Sequence, residues 1–280
     1  MTGLKEYRQR PHWSASSLNE LLNVCSLKWA YSHGVYDAEQ EFTPVALAFG
    51  SCFHQVLEYF HNLKQRGVRI ESVEIPDICQ VVWGETLERG KEIRFEDDMS
   101  ADDYGNQMAG LVKTFLEHAD PEEEVVSVSE PFIVPLMDSE GQMLDKPLIG
   151  EMDCIVRKGD QTTIVDWKSA ARRWPKGQAD KSMQATAYLY AHSVLQPEMN
   201  PEFRFDVAVK NKTLVFEQHC TARTQEDFAR LGQLAVRADN IVEHELFFPN
   251  EQSFACSGCQ FQSACKNWHR EHSRVISLAA

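Results

Sequence analysis

The sequence contains no run of about 18 apolar residues, and residues 1 to 12 lack the apolar core of an export signal. We therefore expect a cytoplasmic protein with no membrane partner. The 280 residues, 43% of them hydrophobic, suffice for a sizeable core. Internal repeats and low-complexity segments are absent, and we expect a single domain over residues 1–280.

Positive charge is also scarce. The net charge is −14, which argues against a protein that coats nucleic acid non-specifically, because phosphate binding needs local cations. Residues 157–181 are an exception, with seven Lys and Arg against three Asp. The chain has no G-x4-G-K-[ST] motif, so any helicase or ATPase partner is expected to be a separate chain.

The most informative stretch is residues 150–169, GEMDCIVRKGDQTTIVDWKS. Alternating apolar residues, the turn-forming residues 158–160 and a β-branched run predict a β-hairpin. Asp153 lies on its first strand, and Asp166 and Lys168 lie on its second. Because strand residues two apart share a face, the hairpin can bring both carboxylates and the ammonium together.

Two close carboxylates repel one another unless a positive charge lies between them, and a divalent metal is the usual solution. A neighbouring lysine can orient a water or stabilise charge on a phosphate oxygen. A D-x-K triplet alone carries little weight, since ordinary composition gives roughly one in a chain of this length. The D-x12-D-x-K spacing on a hairpin, followed by Gln184-Ala-Thr-Ala-Tyr188, is much more specific.

With these residues the sequence resembles the PD-(D/E)XK nuclease superfamily, and within it the RecB-like branch. That branch includes the CRISPR-associated adaptation nucleases, the AddB nuclease domain and exonuclease V. The resemblance implies a metal-dependent DNA nuclease, an exonuclease acting on single strands or DNA ends. One difference is that aspartate, not glutamate, occupies position 166, which shortens that ligand by one methylene.

The resemblance also implies roles for individual residues. His54, Asp153, Asp166 and the Trp167 carbonyl would hold Mg²⁺ or Mn²⁺, and Lys168 would position the attacking water. Gln184 and Tyr188, four apart on one helix face, would steady the site or the strand. The predicted DNA contacts, for which a solvated basic face is the alternative, are Arg172, Arg173, Lys176 and Lys181.

His54 follows Gly50 in a G-x3-H spacing on a helix predicted over residues 44–63, with an apolar stripe that includes Leu47. A lone helical histidine is usually an ordinary core or surface residue. The spacing nevertheless matches the RecB-like motif in which histidine is a metal ligand. Glu58, one turn later, is predicted to support the metal ligands.

Eight cysteines in a protein expected to be cytoplasmic suggest metal or redox chemistry more than disulfides. Cys256, Cys259 and Cys265 are clustered, and a 4Fe-4S cluster needs a fourth thiolate, for which Cys25 has the sequence context. Zinc bound by the same four thiolates is the alternative; the resemblance favours iron. The cysteines predicted to be small core residues are Cys52, Cys79, Cys154 and Cys220.

The expected fold is α/β, a restriction-endonuclease-like core with a mixed central sheet flanked by helices. We expect a helical N-terminal part over 1–124, the core over 125–220, and a C-terminal helix and cysteine tail over 221–280. The N-terminal helix is predicted to start with a capping box of Ser17 and Glu20 and to run through Trp29. An iron-sulfur cluster would join the two ends.

Two other functions are compatible with this sequence. One is a catalytically silent nuclease-fold scaffold for recombination or CRISPR adaptation, although a silent module need not keep a complete set of ligand-type residues. The other is a zinc-stapled nucleic-acid-binding protein. The expected partners are DNA and either a separate helicase or CRISPR adaptation proteins.

Overall fold

The computed structural model describes residues 3–68, 71–89, 92–95 and 98–272. Its α-helices are α1 (Leu4–Tyr7), α2 (Ala15–Asn19), α3 (Ser26–Ser32), α4 (Val45–Gln65), α5 (Ile75–Arg89), α6 (Ala101–His118), α7 (Met183–Leu195), α8 (Gln225–Glu243) and α9 (Gln262–His272). Its strands are β1 (Thr43–Pro44), β2 (Ile93–Arg94), β3 (Glu124–Val134), β4 (Leu148–Lys158), β5 (Gln161–Ala170), β6 (Glu202–Val209) and β7 (Val215–Thr221).

The main sheet has five strands in the order β3-β4-β5-β6-β7. The β5–β6 pair is parallel and the other three pairs are antiparallel, because α7 carries the chain back across the sheet between β5 and β6. β1 and β2 form a separate short parallel pair. The result is a mixed α/β sheet flanked by helices, as the sequence predicts.

The predicted central hairpin forms with the expected turn. Lys158 pairs with Gln161, which leaves a two-residue loop, and its first residue, Gly159, has a φ of 58°. That left-handed backbone conformation favours glycine, so the hairpin register is set by this loop.

Two apolar cores lie on the two faces of the sheet. One is formed mainly by α4, α5 and α6 against residues such as Cys154, Val165 and Trp167. The other includes α2, α3, α7 and α8 and contains Met152, Ile164 and Phe205. Consecutive β5 residues from 162 to 167 are therefore all buried, as is typical of a strand covered on both faces.

The N-terminal helix differs from the prediction. Ser14, not Ser17, is the N-cap, and its hydroxyl accepts a hydrogen bond from Ser17 N at 3.2 Å. The helix does not run through Trp29. It passes into a π-helical turn at residues 20–24, and the extended backbone of Cys25 separates it from α3.

Other differences are local. α4 begins at Val45, and Pro44 is its N-cap rather than its first helical residue. Leu47 is exposed, so it is not part of the apolar stripe, and Cys220 on edge strand β7 is exposed, although the other three predicted core cysteines are buried. Within the described ranges, no helix combines the length and apolarity needed to cross a membrane.

Candidate functional site

Asp153 and Asp166 lie side by side where the two central strands stop pairing. The last pair in the β4–β5 ladder is Cys154 with Val165, so the next residues, Asp153 and Asp166, face each other on one side of the sheet. β5 continues its parallel pairing with β6 through Lys168, which lies two residues after Asp166 and shares its face. The sheet register therefore places all three predicted residues together.

Asp153 is held from two sides. One of its oxygens, Oδ2, accepts a hydrogen bond from Trp167 N at 2.9 Å and lies 3.4 Å from His54 Nδ1 on α4. Burial acts to raise the pKa of Asp153, but His54, Lys168 and the Trp167 N–H outweigh it, so the pKa is lowered. The pKa of His54 is raised because Asp153 outweighs the effect of burial. Each group therefore stabilises the charged form of the other.

Asp166 is fully buried, with 0% of its surface exposed. Its Oδ1 accepts a 2.6 Å hydrogen bond from Gln184 Nε2, and its Oδ2 forms an ion pair with Lys168 Nζ. Burial raises the pKa of Asp166 to about 6 despite the lysine. Burial also acts to lower the pKa of Lys168, but Asp166 and Asp153 outweigh it, so the pKa is raised and Lys168 is a cation at neutral pH.

The helix α7 supplies the remaining predicted residues. Ser182 caps its N-terminus, accepting a hydrogen bond from Ala185 N at 3.4 Å, and this sets the helix phase. Gln184 and Tyr188 then share one face, and Gln184 Nε2 donates to the Tyr188 hydroxyl at 3.0 Å. Burial and the nearby carboxylates raise the pKa of Tyr188 well above its ordinary value, so it is a neutral phenol.

These groups open into one cavity of about 610 Å³, which we call the carboxylate cavity. The residues of the site that line it are His54, Asp153, Lys168, Gln184 and Tyr188, while Asp166 is buried behind it. Its lining contains the cations Arg8, Lys168 and Lys181 and the histidines His12 and His54. Among the predicted DNA contacts, only Lys181 is in this lining; Arg172, Arg173 and Lys176 are exposed outside it, and Arg173 pairs with Glu217 at 2.7 Å.

Sequence reasoning missed three of the polar lining residues. Arg8 and His12 reach the cavity because Trp13 is fixed to the start of β4, donating to Pro147 O at 2.9 Å and accepting from Ile149 N at 2.8 Å. Glu151 lies on the same strand face as Asp153, and that spacing of two was a usable signal. Burial, Glu58 and Asp153 all raise the pKa of Glu151, so Glu58 lies near Glu151, and its support of the metal ligands stays a prediction.

The donor set of the cavity fits a hard divalent cation. Two carboxylates lie close together, and the buried Oδ2 of Asp166 is paired with the Lys168 ammonium. Among the residues that the structure describes, no three His, Cys, Asp or Glu side chains converge as a complete ion site. Mg²⁺ needs only one or two carboxylates, because it keeps several waters. The Trp167 backbone reaches the site through its N–H, and the role of its carbonyl stays a prediction.

The four predicted cluster cysteines line a second cavity, which we call the cysteine pocket. Its volume is about 350 Å³, and its lining includes Cys25, Cys256, Cys259 and Cys265. The sulfur of Cys25 accepts hydrogen bonds from Lys28 N and Asn250 N, each at 3.4 Å. These two contacts orient the Cys25 sulfur in the pocket.

Comparison with known proteins supports the fold and the family. A solved structure of a candidate exonuclease from Eubacterium rectale is 12% identical, with a TM-score of 0.52, and the match covers 92% of this chain and 93% of that chain. At that identity the likeness shows the fold alone. A structure of SSO0001 is also 12% identical over 90% of this chain and 95% of that one, but its TM-score of 0.36 supports no argument.

No curated protein matches the chain. The sequence profile of the PD-(D/E)XK nuclease superfamily matches residues 12–266, which include the hairpin carboxylates, the lysine and all four pocket cysteines. Because that match spans most of the sequence, the chain belongs to the PD-(D/E)XK nuclease superfamily.

Proposed function

We propose that this protein is a Mg²⁺- or Mn²⁺-dependent DNA nuclease of the RecB-like, iron-sulfur type, an exonuclease acting on single strands or DNA ends. The observation that carries the proposal is the grouping of Asp153, Asp166 and Lys168 at the ends of two paired strands. His54 contacts one carboxylate and Gln184 the other. This arrangement uses every ligand-type residue of the motif.

The metal ligands in this proposal are His54, Asp153, Asp166 and the Trp167 carbonyl. When bound, the ion would neutralise charge on a phosphate oxygen and lower the pKa of a water. Gln184 keeps Asp166 oriented through its 2.6 Å hydrogen bond, and the Trp167 N–H does the same for Asp153. Both carboxylates are thus held before any ligand arrives, which is the preorganisation that catalysis requires.

Lys168 acts as a fixed positive charge. Its raised pKa keeps it protonated at neutral pH, so it stabilises negative charge that develops on the phosphate rather than removing a proton. Tyr188, a neutral phenol on the same wall, can donate a hydrogen bond to a phosphate oxygen. Together these groups favour phosphodiester hydrolysis.

The shape and charge of the carboxylate cavity favour a single strand or a free end. Its volume, about 610 Å³, is in the range of small-ligand pockets and suits one or two nucleotides rather than a duplex. Arg8 and Lys181 supply cations in a chain whose net charge is −14. Local cations of this kind hold a phosphate backbone despite an acidic surface.

The cysteine pocket supports the iron-sulfur part of the proposal. A tetrahedral zinc site and a 4Fe-4S cluster, which is the larger of the two, both take four thiolates. Four cysteines around a cavity of about 350 Å³ leave room for a larger group. Zinc remains the alternative. An exonuclease of this type would act with a separate helicase or with CRISPR adaptation proteins, because the chain has no ATPase motif.

Digestion of end-labelled single-stranded, duplex and circular DNA with Mg²⁺ or with Mn²⁺ tests the function. We expect loss of linear DNA from its ends, faster with Mn²⁺ because an imidazole ligand suits Mn²⁺ better than Mg²⁺. The paired control is Asp166→Ala purified in parallel. Equal digestion by the wild type and this variant, or none by the wild type with either metal, would overturn the proposal in favour of a silent scaffold.

A further inference from the structure

The carboxylate cavity contains an aromatic side chain that the proposed reaction does not use. Three Phe, Trp or Tyr residues line it: Trp174, Tyr188 and Phe205. Phe205 is only 1% exposed and Tyr188 only 8%, whereas Trp174 is half-buried. Trp174 is therefore the lining aromatic residue with ring surface available to a ligand.

The backbone around Trp174 is fixed. Pro175 restricts the residue before it to an extended conformation. A turn follows, in which Gln178 N donates to Pro175 O at 3.1 Å and Gly177 has a φ of 78°. On the other side, Arg173 Nη1 lies 2.7 Å from Glu217 Oε1 on β7. The turn and the ion pair thus flank Trp174 on its two sides in the chain.

The indole also packs against two rings. Its centroid is 5.0 Å from that of Phe205 on β6 and 5.4 Å from that of His219 on β7. Its N–H donates to no acceptor among the residues described, so both a polar donor and an aromatic surface remain for a ligand. Two neighbouring lining residues, Lys168 and Lys181, carry positive charge.

Aromatic surface beside cations is the combination by which proteins bind single-stranded nucleic acid, because every base has a π-face and every nucleotide a phosphate. We propose that Trp174 forms a base-stacking subsite that takes one unstacked base of the strand whose phosphate lies at Asp153 and Asp166. The proposal rests on the proposed nuclease function and adds a substrate-selecting residue to it. A duplex base is already stacked and must first be unstacked, so Trp174 favours single strands and frayed ends.

A binding experiment with abasic substrates tests this subsite. A labelled oligothymidine and a series carrying one abasic residue at each position are titrated with the protein, in EDTA and again with Ca²⁺. We expect one position at which removal of the base weakens wild-type binding by roughly 5- to 150-fold, the range of base–aromatic stacking. In Trp174→Ala that penalty should disappear while penalties elsewhere remain, and Trp174→Phe should keep part of it.

Trp268→Ala is the matched control, because Trp268 is also half-buried and stacked on a histidine, His272, but lies outside the cavity lining. It should keep the wild-type profile. A Trp174→Ala protein that retains the same position-specific penalty would overturn the subsite, since Trp174 would then have only a packing role. The subsite would also be overturned if the wild type showed no position at which base removal weakens binding, or if it did not bind the oligonucleotide.

The nuclease function is tested separately by adding Mg²⁺ or Mn²⁺ to the protein and the same oligonucleotides and measuring cleavage. A wild type that shows the penalty but does not cleave refutes the nuclease and leaves the subsite. One that cleaves without a position-specific penalty refutes the subsite and leaves the nuclease.

Discussion

The carboxylate cavity and the cysteine pocket are built in different ways. The first takes its residues from β4, β5, α4 and α7, elements joined by sheet pairing and by two buried cores. The second joins Cys25 to a C-terminal stretch of turns followed by α9, a helix with no buried residue among those described. We therefore expect the carboxylate cavity to keep its shape when one of its carboxylates or its lysine is removed. The shape of the cysteine pocket, by contrast, should depend on the metal or cluster that its cysteines bind.

Loss of a carboxylate should produce the largest effect on activity. Asp166→Ala removes a proposed metal ligand and the partner of Lys168, and we expect cleavage to fall by about 10²- to 10³-fold or more. Asp153→Ala and Lys168→Ala should have similar effects, because the three residues act as one unit. Initial rates with end-labelled single-stranded DNA measure the loss.

Asp166→Ala should change the melting temperature little, because it removes a buried carboxylate whose desolvation is unfavourable and leaves the Lys168 ammonium facing the open cavity. Thermal melting with the metal removed by EDTA is the check. A large drop in melting temperature would mean that the ion pair holds the sheet together, and the contrast between the two sites would then be wrong.

Loss of a pocket cysteine should act on stability. Cys25→Ser would release a link between residues 25 and 256, and a chain-entropy estimate for so long a loop gives about 5 kcal/mol at most. We also expect the visible absorbance and the iron content to be lost. Urea unfolding and elemental analysis measure both changes, and elemental analysis distinguishes iron from zinc.

Cys220→Ser is the control for this experiment, because Cys220 is exposed on β7 and lies outside the cysteine pocket. It should keep both colour and stability. If Cys25→Ser kept its full iron content, the fourth ligand would have to be another residue.

The carboxylate cavity was largely predictable because its signals are local. Gly159 sets the register of the hairpin, and that register brings Asp153 to Asp166. Gln184 and Tyr188 meet through a helical spacing of four, which any helix start near residue 182 would produce. Residues whose positions follow from a turn or a helix phase can be placed from the sequence alone.

What could not be predicted depends on contacts between distant segments. Arg8 reaches the cavity because Trp13 bonds to residues 147 and 149, and nothing near Arg8 in the sequence indicates that contact. The helix start was misplaced because Ser14 and Ser17 both offer a capping hydroxyl, and the anchored Trp13 decides between them. Cys220 differs from Cys154 only because its strand is at the sheet edge.

Acidification should weaken the core behind the carboxylate cavity. His61 on α4 is buried, its ring centroid 4.6 Å from that of Trp167, and burial lowers its pKa from 6.5 to about 4. Above pH 6.5 the imidazole of His61 is neutral in both the folded and the unfolded states. Below pH 6.5 His61 binds a proton in the unfolded state but not in the folded state. The free energy of unfolding therefore falls as the pH falls from 6.5 to 4, by about 3 kcal/mol in total.

Urea unfolding from pH 7 to pH 4 measures this loss, and His61→Asn should flatten the slope while keeping a donor for the Leu57 carbonyl. His244→Asn is the matched control, because His244 is exposed and makes the same type of contact to the carbonyl four residues earlier. A His61→Asn slope as steep as that of the wild type would assign the acid sensitivity to other groups.

The smallest expected effect tests whether the two sites are independent. Ser14, Ser16 and Asn19 line the carboxylate cavity, and six residues after Asn19 the same helical segment ends at Cys25 in the cysteine pocket. Those six residues are one π-helical turn and one extended residue, so movement of Cys25 should shift this wall. Cys265→Ser changes the cysteine pocket but no lining residue of the carboxylate cavity. It should raise KM for single-stranded DNA by roughly 2- to 30-fold and leave kcat nearly unchanged, when assayed well below its melting temperature. The reverse should not occur: Asp166→Ala should keep its full iron content, because the sheet does not need that carboxylate to hold its shape. An unchanged KM in Cys265→Ser would show that the wall is held by the anchored Trp13 alone, and that the cysteine pocket contributes stability without influencing the carboxylate cavity.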